Sequence, residues 1–148
     1  MIIQAQIDDL AAIKLCAELA YAAYVGVIGR KPAPMVADFA KLILEKKVYI
    51  KKDGEQNLTG FIVFYPQSDA MHLENIAVMP FAHGKGIGRQ LMNYCEERAV
   101  ALGCHAIELY TNEKMSANLA IYPKLGYLET DRRIEDGFHR VYFRKQLV

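Results

Sequence analysis

Tryptophan is missing from the 148 residues altogether, so indole fluorescence cannot report on a binding site and thermal shift must serve instead. Cysteine is scarce. Cys16, Cys95 and Cys104 show no C-x-x-C spacing, and their odd number leaves at least one unpaired, so the expectation is buried, reduced thiols rather than a disulfide framework. Nothing near them in sequence lowers a thiol pKa to make a nucleophile. The four histidines include no H-x-x-x-H pair, which argues against a metal site. An excess of one charge is missing too: 18 basic against 17 acidic residues give a formal net charge of +1, whereas a nucleic-acid surface needs a basic excess or stripe. No hydrophobic run is long and unbroken. The stretch from Leu10 to Ile28 is interrupted by Lys14 and Glu18 and has no basic segment before it, so it reads as neither signal peptide nor membrane span. These absences predict a cytoplasmic protein without metal, nucleic-acid or membrane partners.

What is present suits one domain over residues 1–148: the chain is 53% hydrophobic, enough for a real core, and has no repeat, low-complexity tract or linker. The coarse pattern alternates strands and helices. Ile2 to Gln6 reads as a strand, and Asp8 or Asp9 can cap a helix running to about Tyr24. Pro34 suits the first position of a second helix, with Asp38 in its first turn and Lys46 and Lys47 closing it. Val48 to Lys51 and Leu58 to Tyr65 flank Asp53-Gly54 as a hairpin. Met71 to Val78 is a mostly apolar strand, and Ala106 to Tyr110 alternates like a half-buried one. A helix from about Met115 to Leu125 precedes a second hairpin, Gly126 to Ile134 and Phe138 to Leu147, around Asp136-Gly137.

The most informative segment joins the strand at 71–78 to a helix through Gly84, Gly86 and Gly88. Ile87, Leu91, Tyr94, Cys95 and Leu102 recur at helical spacing, with Gly103 placed to end the helix. The glycines therefore lie at a helix N-terminus, where unpaired N–H groups and the positive end of the macrodipole receive anions. Lys85 and Arg89 add charge at the rim. A Walker loop would need Lys then Ser or Thr after its last glycine, and Arg89-Gln90 follows Gly88 instead. A dinucleotide fingerprint fails because the third glycine comes one residue early and the site lies past mid-chain.

His83 to Gly88 resembles the acetyl-CoA-binding motif of the GNAT N-acetyltransferases: Gln or Arg, two free positions, Gly, one free position, Gly or Ala. Both glycines match, and His83 stands where Gln or Arg is usual. Downstream, Asn118-Leu-Ala-Ile-Tyr122-Pro-Lys-Leu-Gly126-Tyr127 resembles the family's second signature. The resemblance implies an α/β (α+β) fold, with one mixed, mostly antiparallel sheet of about seven strands, helices on both faces, and a V-shaped cleft between the strands at 71–78 and 106–110 that takes the pantetheine arm. It further implies acetyl-CoA as cosubstrate and transfer to a primary amine of a small molecule or peptide.

A lysine-like amine with pKa about 10.4 is neutral in about one molecule in 2,500 at pH 7, a penalty of roughly 4.6 kcal/mol. A base must therefore remove a proton, and the departing thiolate needs an acid. By resemblance, Tyr122 lies beside the sulfur and is the acid; packed at a helix end, it would be merely structural. Glu74 and His72 are candidate bases, on one face if pairing is regular and separated if a bulge intervenes. A carboxylate in a partly apolar cleft would have its pKa raised. Glu108, across the cleft, is a third candidate. Backbone groups of Ile76, Ala77 and Val78 are expected to meet the pantetheine, and His83, Gly84, Lys85, Gly86, Ile87, Gly88 and Arg89 the diphosphate. Asn118 shares a helix face with Tyr122 and is expected to contact the coenzyme, with Asn112 as the alternative. Tyr21, Tyr24 and Arg30 form an aromatic and basic cluster that could bind the acceptor, or Tyr21 and Tyr24 could simply pack on the sheet. A non-catalytic acetyl-CoA-binding regulator, a toxin component that acetylates aminoacyl-tRNA, and a homodimer built on the C-terminal hairpin or exposed strand edges remain open at this stage.

Overall fold

The computed structural model describes residues 1–147. One seven-stranded sheet is formed by β1 (Ile2–Gln4), β2 (Val48–Lys52), β3 (Leu58–Gln67), β4 (Ala70–Val78), β5 (Ala106–Asn112), β6 (Leu128–Glu135) and β7 (Phe138–Gln146), in the order β1-β2-β3-β4-β5-β7-β6. Every neighbouring pair is antiparallel except β4 and β5. The helices are α1 (Leu10–Ile28), α2 (Phe39–Leu44), α3 (Ile87–Ala101) and α4 (Ser116–Lys124).

Alternation along the strands gives the sheet two apolar faces, each covered by one helix pair. Ile62, Phe64, Met71, Leu73, Ile107, Leu109, Val141 and Phe143 pack with α3 and α4. Val48, Ile50, Phe61 and Val63 pack with α1 and α2. Gly60 fixes the height of α3 above the sheet, since a Cβ there would lie 3.2 Å from both Ile87 and Leu91 and 2.9 Å from the Ala77 carbonyl oxygen. A buried Leu91, fully shielded from solvent, thereby seats the first turn of α3 against the strand that leads into it.

Several expected boundaries move, each for a local reason. The first helix runs past Tyr24, through Gly26, to Ile28, and ends at Gly29, whose N–H closes it on the Val25 carbonyl at 2.9 Å. Pro34 sits in a separate 3-10 turn, Ala33–Met35, and α2 begins only after Asp38, whose carboxylate accepts from the Lys41 N–H. A residue that caps a helix so well ends up outside it. Asp53 likewise accepts from the Glu55 and Asn57 N–H groups, so the first hairpin closes with a longer loop. The second hairpin keeps its two-residue Asp136-Gly137 turn, with Glu135 facing Phe138.

By length and composition Ile7–Ile28 could cross a membrane, with a mean hydropathy of 1.5. Its inner face is nonetheless committed to the domain: Ile13, Cys16, Ala17 and Tyr21 are buried against the sheet.

Candidate active site

The sheet opens where β4 and β5 part. Their parallel pairing runs from Ala70 opposite Ala106 to Leu73 opposite Leu109 and stops there, leaving the rest of β4 without a strand partner on that side. The break coincides with a bulge: Val63 faces Asn75 and Phe64 faces Leu73, so Glu74 is the extra residue. One inserted residue reverses the alternation that follows. Met71 and Leu73 face α3, but beyond the bulge Ile76 and Val78 take that face and Ala77 joins the core under α1. The Met79 N–H pairs with Thr59 of β3, whereas the Ile76 carbonyl accepts from Tyr21 and the Val78 carbonyl from the His83 ring at 3.3 Å. Main-chain N–H and C=O of one extended residue point the same way, so those of Ile76 and Val78 face the opening.

The glycine turn lies at the outer end of this opening. Gly84 and Gly86 have φ of 78° and 76°, a left-handed conformation that other residues adopt at a cost. Gly86 caps α3 without any side-chain hydrogen bond, and the first intrahelical bond is Gln90 N–H to the Gly86 carbonyl at 3.0 Å. The N–H groups of Ile87, Gly88 and Arg89 are left for an anion. A Cβ at Gly84 or Gly86 would meet nothing within 4 Å, so the space beside these donors is clear, and exposed Lys85 and Arg89 flank it. The turn therefore fits a diphosphate. His83 is exposed and ties the turn back to the end of β4 through Val78.

On the opposite face, a cleft of about 460 Å³ runs from the V into the space beneath α1 and α2. One wall comes from Tyr21, the 32–34 corner, α2 and Glu74 to Ile76; the other comes from Leu109 to Asn112, α4, Phe138 and Arg140. Tyr122 lines it between the two. Its ring is clamped by Tyr127 and Phe143, each 5.7 Å away between centroids, and its hydroxyl has no hydrogen-bond partner among the described residues. Burial pushes its pKa up to about 12, so the phenol keeps its proton at working pH. Asn118 lines the same cleft and donates to Thr111 Oγ1 at 3.2 Å, while Asn112 accepts from the Lys114 N–H and shapes the corner before α4.

The two candidate bases share a face but not an environment. Glu74 lines the cleft and accepts from the Tyr65 hydroxyl at 3.1 Å. His72 lies outside it, its ring between Tyr65 and Tyr110 at 5.4 and 5.9 Å. Burial lowers its pKa, against the pull of Glu74 and Glu108. Glu108 is held by Arg144 and does not line the cleft.

The acceptor-side cluster separates. Tyr21 is buried in the cleft wall, whereas Tyr24 is half-buried against the core under α1. Arg30 is turned away: its guanidinium donates to the Asp136 carbonyl and stacks 3.6 Å from the Phe138 centroid, so the expected carboxylate ligand holds the second hairpin instead. Two residues that the sequence did not single out take prominent places. Asn75, 4% exposed, accepts from Tyr21 at 2.7 Å and donates to the Pro34 carbonyl at 2.8 Å, tying α1 and the 32–34 corner to the V. Arg140 reaches the cleft from β7. Asn75 has a faint sequence signal, an amide inside an apolar strand, but regular alternation would place it on the α3 face.

Residues 13–127 match the Acetyltransferase (GNAT) family. The chain belongs to that family. Among solved structures, it is similar to the PaiA N-acetyltransferase from Thermoplasma acidophilum in complex with coenzyme A, at 17% identity over 99% of this chain and 98% of that one, TM-score 0.78. It is also similar to the ribosomal-protein-S18-alanine N-acetyltransferase from Escherichia coli, at 20% identity over 99% and 92%, TM-score 0.74, and to an IAA acetyltransferase from Bacillus cereus, at 22% identity over 99% of each chain, TM-score 0.70. Acetyl-CoA is the cosubstrate of this GNAT enzyme and acetyl transfer its chemistry. No group of three or more potential metal ligands occurs among the described residues.

Proposed function

We propose that the protein acetylates a primary amine of a small molecule or peptide by direct transfer within a ternary complex. The observation that carries this reading is the meeting, in one cleft, of the opened β4 edge, the Tyr122 phenol and the Glu74 carboxylate. Bound acetyl-CoA would supply the activated acyl group; the chain's own residues do the rest. Main-chain groups of Ile76 and Val78, with Asn118, hold the pantetheine arm and polarise the carbonyl, while His83 to Arg89 hold the diphosphate. Glu74 takes a proton from the incoming ammonium, directly or through water, and Tyr122 donates one to the leaving sulfur. His72 lies against the ring of Tyr65, the tyrosine whose hydroxyl donates to Glu74. No cysteine lines the cleft among the described residues, and burial raises the Cys16 pKa to about 12, which supports direct transfer over an acyl-enzyme.

The ribosomal-protein acetyltransferase and PaiA likenesses support an amine acceptor, and we propose a cytoplasmic location. Exposed β6 at the sheet edge offers a surface for a homodimer, which light scattering would test. The deciding assay is free-thiol release at saturating acetyl-CoA over amines, amino acids, polyamines and peptides. Release above the water background with at least one amine is expected. Calorimetric binding of the coenzyme without release from any amine would replace the enzyme by a coenzyme-binding regulator.

A further inference from the structure

The arginines of the second hairpin differ in how they are satisfied. Arg132 donates to Glu129 at 2.9 Å and Arg133 to Asp131 at 2.7 Å, and Arg144 donates to Glu108. Arg140 donates to no acceptor among the described residues. It forms an ion pair with Glu135 at 3.6 Å, too long for a hydrogen bond, although the Arg140 side chain is only 13% exposed. Its guanidinium stacks over Tyr110, 4.4 Å from the centroid, which fixes its plane.

Strand parity decides what this fork faces. Val141 and Phe143 point into the core under α3, so Arg140 points to the other face, away from the glycine turn at the start of α3. It is therefore on the acceptor side and not the diphosphate side. On the wall built from β5, α4 and β7, Arg140 is the single ionised side chain. The opposite wall is close to balanced, Asp38, Glu45 and Glu74 against Lys41 and Lys47. A nearly buried guanidinium whose one ion pair leaves its N–H donors without a hydrogen bond is completed by a planar anion, and the bidentate geometry suits a carboxylate.

We propose that Arg140 is the specificity residue of the acceptor site and that the acceptor is an amine bearing a carboxylate, which Arg140 grips across the cleft from Glu74. This rests on the acetyl-transfer reading above. Its single positive charge matches a carboxylate rather than a phosphate dianion, and Phe138 and Tyr110 keep the pair dry.

The test compares α-amino and ω-amino carboxylates with their carboxamides, and with phosphoethanolamine, by thiol release from acetyl-CoA. The carboxylates should exceed their carboxamides in kcat/KM by about tenfold or more. Arg140→Gln should erase that ratio by raising the acceptor KM, leave the KM for acetyl-CoA in place, and be partly rescued by Arg140→Lys. Should Arg140→Gln lose its native thermal transition, the ratio in the natural protein decides alone. Equal or better use of the carboxamides, a preference for phosphoethanolamine, or a carboxylate preference that survives in a folded Arg140→Gln would overturn the proposal while acetyl transfer stands. No release from any amine, with coenzyme binding intact, would remove the acetyl-transfer reading and this inference with it.

Discussion

The two faces of the sheet are built on different principles. Under α3 and α4 the contacts are almost wholly apolar, close-packed and continuous from Ile62 to Phe143, and the polar work is done by main chain at the helix end. Under α1 and α2 the apolar core stops short of the V, and directional bonds take over: Tyr21 to Asn75 and Ile76, Asn75 to Pro34, Tyr65 to Glu74. A coenzyme common to a whole family needs only a fixed turn and a fixed gap. An acceptor needs shaped polar contacts, and these come from helices and corners that can vary without disturbing the donor side.

The sharpest way to test that division is Tyr122→Phe, which removes one oxygen at the meeting point of the faces. We expect kcat to fall by about 10² to 10⁴-fold, while calorimetric affinity for the coenzyme stays near that of the unaltered protein; full turnover with the true acceptor would sink the acid assignment. Next, Leu91→Ala should lower stability by about 2–5 kcal/mol in denaturant titrations, because Leu91 is fully buried between α3 and the sheet. Asn75→Ala should cost less, about 1–3 kcal/mol, by stripping the Tyr21 hydroxyl and the Pro34 carbonyl of a partner. It should raise the acceptor KM more than the coenzyme KM; an equal rise in both would mean the network serves the whole V and not one side.

The smallest effect concerns pH. His72 has a lowered pKa in the folded protein, so the unfolded chain binds the proton more tightly. Its contribution to stability is present above the unfolded value of about 6.5 and is lost as pH falls through the folded pKa. Glu74 and Glu108 oppose the shift, so the loss is modest. Thermal midpoints of His72→Asn should fall less between pH 7 and the acid side than those of the natural sequence; parallel curves would remove His72 as the cause.

Much of the donor side could be read from residues alone. Gly84, Gly86 and Gly88 after an apolar strand, and the spacing from Ile87 to Leu102, are local signals, and α3 and its turn lie where they pointed. Asp136-Gly137 likewise set its hairpin register. The acceptor side was less legible. Arg30 looked like a free cation beside two tyrosines, yet its length and place at the end of α1 carry it to the Asp136 turn. Nothing near Arg140 in sequence marks it as the arginine of the second hairpin that lines the cleft.

The sequence by itself determined most element types and the glycine turn before α3, because each depends on periodicity or backbone conformation within a few residues, and two short motifs carried the resemblance to the family. Tertiary structure decided the rest. The bulge at Glu74 inverted the parity of β4, sending Asn75 to α1 and opening the Ile76 and Val78 main chain to the cleft. Pairing between strands distant in the chain put Arg140 opposite Glu74. Register is a property of two strands together, and a one-residue shift in one of them changes which face every later side chain occupies.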